Sequence, residues 1–245
     1  MSRRGRSRRP LVIAHRGASA TAPENTAAAV RLAVRGGADA VECDVQLSRD
    51  GVPIVFHDDD LRRLCGERAR VETLPAAALL RRRVRLPGRT GRANRILTLA
   101  QWLRLLPARV LPVVELKRQR GAHAEQRLAA AAAKLLARRR GAVAVISFSS
   151  RLVARTRALL PNARVGPVLD RVPRGAAALR ALRAAPIVAI GRTLATRAFV
   201  ARLHRGGAEV WCWTVDEPAE MRRLVARGVA GIISNRPELA LATLR

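Results

Sequence analysis

The segment RGGADAVECDV, residues 35–45, is predicted to join the end of a helix to the start of a strand. Its two glycines follow a helical stretch, and glycine most easily adopts the left-handed conformation that ends a helix. The apolar residues that come next are typical of a strand. The same helix–glycine–strand order returns at RGGAE (205–209) and at ARGVAG (226–231). Three such joints predict one repeated architecture rather than two unrelated domains.

Short apolar runs alternate with helical stretches in both directions from this joint. Eight strands are predicted, at residues 11–15, 40–45, 110–116, 142–148, 164–169, 186–190, 209–215 and 231–234. Eight helices are predicted, at residues 26–35, 98–106, 123–139, 150–160, 175–184, 196–205, 217–227 and 237–244. Strands that alternate with helices indicate parallel βαβ units, and eight of each is the count of a closed barrel. The predicted fold is therefore α/β, a single-domain (β/α)8 TIM barrel over residues 11–245.

Length and composition agree with one barrel. The chain has 245 residues, of which 49% are hydrophobic, and such a barrel needs about 250 residues. No apolar run approaches the roughly 18 residues of a membrane span, and the amino terminus lacks the about 7–15 apolar residues of a secretory signal. Cys43, Cys65 and Cys212 have no metal-ligand spacing and are predicted to be reduced thiols. These features predict a cytoplasmic location.

The net charge of +29 comes almost entirely from arginine, since lysine occurs only at Lys117 and Lys134. With abundant alanine and no tyrosine, this bias indicates GC-rich coding rather than a nucleic-acid surface. Two segments concentrate the charge. Residues 1–10 are predicted to be a disordered basic tail, and residues 59–97 to be either an enlarged Arg-rich connection or an ordinary surface loop. Both segments could attract an anionic membrane surface or nucleic acid.

Acidic residues are scarce, yet several fall at the ends of predicted strands. Glu42 and Asp44 are two residues apart on the second strand and therefore share a face, and Glu115 ends the third strand. The active site of a barrel lies at the carboxyl ends of its strands, so these side chains are expected to converge there. Buried together they would repel one another, and an oxygen-preferring divalent cation, Ca²⁺ or Mg²⁺, would remove the repulsion. Ion pairs with nearby arginines are the alternative.

Five blocks of residues, in order along the chain, closely resemble the glycerophosphodiester phosphodiesterase family. They are His15-Arg16-Gly17, Pro23-Glu24-Asn25-Thr26, Glu42-Cys43-Asp44-Val45, His57-Asp58 and Glu115-Leu116-Lys117. The segment WTVDEPAEMRRLVARGVAGIISNRP (213–237) is similar as well, so the resemblance spans nearly the whole chain. It implies a TIM barrel that hydrolyses glycerophosphodiesters to an alcohol and glycerol phosphate with a divalent cation.

The resemblance also implies roles for individual residues. Glu42, Asp44 and Glu115 would bind the metal, which is predicted to be Ca²⁺ or Mg²⁺, with Mn²⁺ as a further candidate. His15 and His57 would be the acid/base pair. An imidazole can serve either purpose near neutral pH, so the sequence does not decide which histidine is the acid.

Other residues of the blocks are predicted to contact the substrate or to support the site. Arg16 and Lys117 would contact the phosphate, and Trp213 would lie near the glycerol moiety. A lysine is notable in a chain that otherwise uses arginine, because an ammonium is a compact point charge and a guanidinium is planar. Glu24 and Asn25 are predicted to hold the loop that carries Arg16. The alternative is that this block simply caps the first helix.

The chain departs from the family pattern at three places. Leu64-Cys65 replace a common Thr-Thr pair, Ser234-Asn235 replace a frequent Thr-Asp, and ILTLAQWL (96–103) lacks the usual proline and acidic residues. These departures concern the headgroup preference rather than the reaction.

Two other functions are carried as alternatives. One is a lysophospholipase D-type phosphodiesterase at membrane surfaces, to which the basic tail would attach weakly. The other is a catalytically inactive, nucleic-acid-binding barrel. The intact set of blocks and the aromatic content of only 2% argue against the second. The predicted partner is a small-molecule glycerophosphodiester.

Overall fold

The computed structural model describes residues 9–85, 94–173, 182 and 185–245. Its strands are β1 (Leu11–Ala14), β2 (Ala40–Leu47), β3 (Pro53–Val55), β4 (Arg83–Val84), β5 (Asn94–Arg95), β6 (Leu97–Thr98), β7 (Leu111–Leu116), β8 (Ala144–Ser147), β9 (Arg164–Leu169), β10 (Ile187–Gly191), β11 (Glu209–Trp213) and β12 (Gly231–Ser234). β1, β2 and β7 to β12 are parallel neighbours in that order, and β12 pairs with β1. This closed ring of eight parallel strands confirms the predicted TIM barrel.

The helices are α1 (Ala27–Arg35), α2 (Arg62–Cys65), α3 (Ala76–Leu80), α4 (Leu99–Arg104), α5 (Ala122–Leu136), α6 (Ser150–Leu159), α7 (Arg197–Arg205), α8 (Pro218–Ala226) and α9 (Pro237–Leu244). Seven of the eight predicted helices correspond to these, and the one predicted at 175–184 lies almost wholly outside the described residues. Four helices begin at a hydroxyl side chain that accepts a hydrogen bond from a backbone N–H three residues later: Thr26, Thr98, Ser149 and Thr196. Such caps fix where each helix begins.

The three glycine joints have the backbone conformation that the sequence predicts. Gly37, Gly207 and Gly228 have φ values of 85°, 83° and 94°, and they follow the ends of α1, α7 and α8. Other residues adopt this left-handed conformation only at a cost. At each joint the chain therefore leaves the outer helix and returns to the next strand of the barrel.

The inside of the barrel is apolar along most of the strand length and acidic near the carboxyl ends of β2 and β7. Its apolar cluster contains Ile13, Ala40, Val113, Ala144, Ile146, Val168, Ile187, Ala189, Trp211 and Ile233. Because alternate residues of a strand point to the same face, Glu42 and Asp44 follow Ala40 on the inside of β2, and Glu115 follows Val113 on β7. The carboxylates thus lie next to this apolar cluster, on the side of the carboxyl ends of the strands.

The segment between β2 and β7 is a packed insertion in its described part, not an open loop. β3 continues from β2 as an antiparallel partner, and β6 pairs with β3. The insertion has a core of its own, which contains Ile54, Phe56, Leu61, Leu64, Val71, Ala76, Leu79, Val84 and Ile96. This core supports the segment that carries His57.

Three further sequence predictions concern the whole chain. Cys43, Cys65 and Cys212 are free thiols. Among the described helices, none combines the length and the apolar character needed to cross a membrane. Most of the basic tail lies outside the described residues, so its disorder stays a prediction, as does the cytoplasmic location.

Candidate active site

A cavity of about 280 Å³ lies at the carboxyl ends of the barrel strands. Seven of the ten predicted site residues line it: His15, Arg16, Glu42, His57, Glu115, Lys117 and Trp213. Three more contact these residues from behind: Glu24, Asn25 and Asp44. The apolar part of the wall consists of Ile146, Phe148, Val168 and Ile233. The structure therefore brings all the predicted site residues together.

Three buried carboxylates form the floor of the site. Glu42 and Asp44 project from the same face of β2, and Asp44 is opposite Glu115 in the register between β2 and β7. One oxygen from each of the three carboxylates lies within 4.8 Å of the others. The predicted convergence of these side chains thus results from strand periodicity and from pairing with the neighbouring strand.

The carboxylates oppose one another electrostatically. Burial, and then repulsion from Asp44, raise the pKa of Glu42 well above its usual value. The same two causes raise the pKa of Glu115 to about 7. Burial acts to raise the pKa of Asp44 as well, but Arg16 and Lys117 outweigh it and hold that pKa well below its usual range. Without further positive charge, the cluster cannot keep all three groups ionised at low cost.

One oxygen in this cluster lacks a hydrogen bond. Glu115 Oε1 is buried and accepts no hydrogen bond from any described residue. Lys117 Nζ lies 3.0 Å away and forms an ion pair with it. A buried carboxylate oxygen that accepts no hydrogen bond and lies close to two further carboxylates suits an oxygen-preferring divalent cation as a ligand. Glu42, Asp44 and Glu115 therefore fit a Ca²⁺- or Mg²⁺-type ligand set.

The loop after β1 presents Arg16 to these carboxylates. The backbone N–H of Arg16 donates to Glu42 Oε2 at 2.9 Å, and its guanidinium donates to Glu24 Oε1 at 2.9 Å. Arg16 itself has a left-handed φ of 57°. The next residue, Gly17, packs so closely on α1 that an added Cβ would lie 2.6 Å from the carbonyl carbon of Ala29. A larger residue cannot follow Arg16 without moving this loop.

Asn25 connects the same loop to β2. Its side-chain amide donates to Asp44 Oδ2 at 3.0 Å, and its backbone N–H donates to the carbonyl of Arg16 at 2.9 Å. Asn25 also has a left-handed φ, of 60°. The helix cap is the next residue, Thr26. Asn25 is thus placed to support the site, and only Thr26 has the capping role.

The two histidines have different partners. His15 Nδ1 lies 2.8 Å from Asn235 Oδ1, and burial, followed by the charge of Arg16, lowers the pKa of His15 to about 4. His57 Nδ1 lies 2.6 Å from the carboxylate of Asp58. One imidazole is therefore held by an amide and the other by an anion.

Lys117 and Trp213 complete the wall. Lys117 Nζ lies 3.4 Å from Asp44 Oδ1. Burial acts to lower the pKa of Lys117, but Asp44 and Glu115 raise it, so the side chain stays cationic. The ring of Trp213 meets Phe148 edge-on at a centroid distance of 5.7 Å. Its indole Nε1 is buried without a partner among the described residues.

A comparison of the chain with models of protein families agrees with this arrangement of groups on a closed barrel. The model of the glycerophosphoryl diester phosphodiesterase family matches residues 15–239. The chain belongs to this family. It is therefore an enzyme of the phosphodiesterase class, and the resemblance drawn from the five blocks of residues is confirmed.

Individual relatives match over nearly their full length. YhdW of Bacillus subtilis (strain 168) is 31% identical over 237 residues, which cover 94% of this chain and 96% of the relative. A glycerophosphodiester phosphodiesterase of Caldanaerobacter subterraneus subsp. tengcongensis is 30% identical over 242 residues, which cover 96% of this chain and 98% of the relative. The solved structure of an Oleispira antarctica phosphodiesterase in complex with the product sn-glycerol-3-phosphate has a TM-score of 0.85 at 24% identity and covers 96% of each chain. This last likeness supports the fold.

Some side chains in or beside this candidate site were not among the predicted site residues: Asp58, Arg63, Phe148, Asp216 and Asn235. Phe148 directly follows β8 and Asn235 directly follows β12, so the rule that active sites lie at strand ends could have found both. Arg63 offers no such signal. It reaches from the insertion to the carboxylates of Glu24 and Asp58 at 2.7–2.8 Å.

The departures from the family pattern lie in different places. Leu64 packs in the core of the insertion, away from the cavity. Asn235 contacts His15 directly. The segment ILTLAQWL (96–103) contributes Ile96 to the core of the insertion and Leu99 and Trp102 to the core outside the barrel strands, and none of its residues lines the cavity. Of the three departures, the one at Asn235 therefore touches the site.

Proposed function

We propose that the chain hydrolyses glycerophosphodiesters to an alcohol and glycerol 3-phosphate, using a divalent cation and two histidines. The observation that carries the proposal is the wall of one cavity, which contains two imidazoles, two cationic side chains and two carboxylates. Asp44 lies directly behind them. Phosphodiester hydrolysis needs these groups in one place.

Charge is the first obstacle to the reaction. A phosphodiester is an anion that repels an attacking oxygen, and a bound divalent cation would offset charge on the phosphoryl oxygens. Glu42, Asp44 and Glu115 would hold that cation. Arg16 and Lys117, which already face this cluster, would contact the phosphate and orient it. Trp213 would lie against the glycerol moiety.

Proton transfer is the second obstacle. His15 and His57 both use Nδ1 for a protein partner, which leaves Nε2 of each ring for the reactants. General acid and general base catalysis contribute roughly 10²–10⁴-fold each. We infer that the substrate's own glycerol hydroxyl attacks first and that water then opens the cyclic phosphate. Rapid quench in ¹⁸O-water tests this order, since solvent oxygen in the first step, without a cyclic intermediate, would contradict it.

The main test uses purified protein stripped with a chelator. Glycerophosphocholine, glycerophosphoethanolamine, glycerophosphoglycerol and lysophosphatidyl substrates are assayed, and Ca²⁺, Mg²⁺ and Mn²⁺ are added back one at a time. Activity on the glycerophosphodiesters that depends on added metal is expected. Glu42→Gln should abolish it, whereas the exposed Glu238→Gln should not. Full activity of the stripped protein, or none with any metal, would overturn the proposal.

A lysophospholipase D activity at membranes is the second candidate, and one surface feature favours it. A second cavity, of about 560 Å³, is lined by six arginines: Arg62, Arg63, Arg81, Arg82, Arg83 and Arg85. Arg63 also reaches Asp58 beside His57, so this basic surface adjoins the mouth of the site. Anionic lipid would be attracted there. Activity that requires vesicles and falls with salt would support this candidate, as well as weak membrane association through the tail.

An inactive nucleic-acid-binding barrel makes the opposite prediction. It would show salt-sensitive DNA binding without phosphodiesterase activity, and the same assays test it.

A further inference from the structure

A short chain of hydrogen bonds lies behind His15, on the side away from the cavity. His15 Nδ1 is 2.8 Å from Asn235 Oδ1. The side-chain amide of Asn235 donates to Asp216 Oδ2 at 2.7 Å, and its backbone N–H donates to Asp216 Oδ1 at 2.8 Å. The hydroxyl of Ser234 donates to the same Oδ1 at 2.9 Å. Asp216 therefore receives three donors and does not itself line the cavity.

The direction of each bond follows from which groups can donate. A carboxylate only accepts hydrogen bonds, so the NH₂ group of Asn235 must face Asp216. The amide oxygen of Asn235 then faces His15, and an amide oxygen also only accepts. The hydrogen between Asn235 and His15 must therefore be on Nδ1 of the imidazole. The hydroxyl of Ser19 lies 2.8 Å from the same amide oxygen and 2.8 Å from the carbonyl oxygen of His15, so its single hydrogen serves one of these acceptors at a time and the carboxylate of Asp216 sets the orientation of the amide.

The tautomer matters because the ring is neutral. Burial and the charge of Arg16 lower the pKa of His15 to about 4, so near neutral pH the ring carries one hydrogen. If that hydrogen is on Nδ1, Nε2 holds a lone pair and can accept a proton. If it is on Nε2, the nitrogen available to the reactants can only donate.

We propose that Asp216 is a positioning residue that acts through Asn235 to hold His15 in its Nδ1–H form, with Nε2 ready to accept a proton. The part that concerns turnover rests on the proposed function, in which His15 transfers a proton. The part that concerns the tautomer does not. His57 differs, since its Nδ1 meets a carboxylate directly.

Two substitutions, at Asp216 and Asn235, test whether this hydrogen-bond chain sets the tautomer of His15. In Asp216→Asn, the new amide keeps its oxygen toward the backbone N–H of Asn235 and the Ser234 hydroxyl, which places its NH₂ group against that of Asn235. The Asn235 amide is then expected to turn over, present its NH₂ to His15 and move the hydrogen to Nε2. In the exchange Asp216→Asn with Asn235→Asp, the new carboxylate accepts from His15 Nδ1 again. The double variant should therefore restore the original tautomer.

The first readout is spectroscopic and independent of activity. Long-range ¹H–¹⁵N spectra of protein labelled with ¹⁵N-histidine distinguish the two tautomers, and His15→Gln assigns the signal. We expect Nδ1–H in the unsubstituted protein, Nε2–H or a mixture in Asp216→Asn, and Nδ1–H in the exchange. An Nε2–H signal in the unsubstituted protein, or no change in Asp216→Asn, would overturn the proposal.

The second readout is kinetic. Asp216→Asn should lower kcat by about 10²-fold, the lower end of general acid–base contributions, with KM changed by less than about threefold, and the exchange should recover most of kcat. Ser234→Ala removes one bond to Asp216 without turning the amide and should keep kcat within about twofold. Equal losses in Ser234→Ala and Asp216→Asn, without rescue by the exchange, would indicate a merely structural role.

Two outcomes need a separate experiment or interpretation: a variant that does not fold, and a protein without activity. If Asp216→Asn does not fold, Asn235→Ala replaces it, and a His15 signal that keeps its full Nδ1–H preference there would contradict the proposal. If the protein lacks activity on every glycerophosphodiester but the tautomer responds as expected, the proposed function fails and the positioning of His15 stands.

Discussion

Glu115→Gln tests the electrostatic account of the site through stability rather than turnover. The pKa of Glu115 is about 7 in the folded protein against a usual 4.5. A carboxyl group whose pKa is raised by folding stabilises the folded state fully below pH 4.5, and this stability is lost as the pH rises through 7. At 1.36 kcal/mol for each pKa unit, the loss in the metal-free protein is on the order of 3 kcal/mol. Glutamine has no charge to bury and should not show it.

The assay is thermal unfolding of stripped protein at pH 5 and pH 8. Part of the loss has occurred by pH 5, and about 2.5 kcal/mol of it falls between pH 5 and pH 8. For a chain of this size, about 1 kcal/mol moves Tm by roughly 2–4 °C, so the unsubstituted protein should lose roughly 5–10 °C more than Glu115→Gln. Millimolar Ca²⁺ or Mg²⁺ at pH 8 should restore the Tm of the unsubstituted protein but not raise that of the variant. Glu238→Gln, an exposed carboxylate on α9, serves as the control and should behave like the unsubstituted protein. Equal pH dependence in all three proteins, or equal stabilisation by the metal, would refute the reasoning.

Three further predictions concern single positions. Lys117→Arg should lower kcat by about tenfold or more, because a planar guanidinium cannot replace a point charge there, with Tm within about 2 °C; full activity would show that any cation serves. Gly17→Ala should cost about 2–4 kcal/mol in urea unfolding, since φ is 84° and the added Cβ would meet α1 at 2.6 Å. Gly66→Ala, with φ of 76° and nothing within 4 Å, should cost only about 1–2 kcal/mol, and equal costs would exclude the steric explanation. Thr26→Ala should cost about 1 kcal/mol through loss of the α1 cap, and an unchanged urea midpoint would contradict that cap.

The parts of the fold that depend on local sequence could be predicted closely. Strands β1, β9 and β12 agree with the predicted ranges within one residue, because apolar runs and glycine joints are properties of neighbouring residues. The convergence of Glu42 and Asp44 was predictable for the same reason, since a spacing of two residues fixes a common face.

Contacts between distant segments could not be predicted in this way. His15 and Asn235 are 220 residues apart in sequence, and they meet only because β1 pairs with β12. Arg63 reaches Glu24 because the insertion folds around its own small core, and periodicity cannot reveal that packing.

The pairing of β1 with β12 also has a consequence for biosynthesis. The wall at His15 needs a residue from the end of the last strand, so a nascent chain has no finished pocket until residue 235 has emerged from the ribosome. A chain in which β12 is missing would expose the edges of β1 and β11 and would lack the partner of His15. The pocket is in this sense completed by the same pairing that closes the ring of strands.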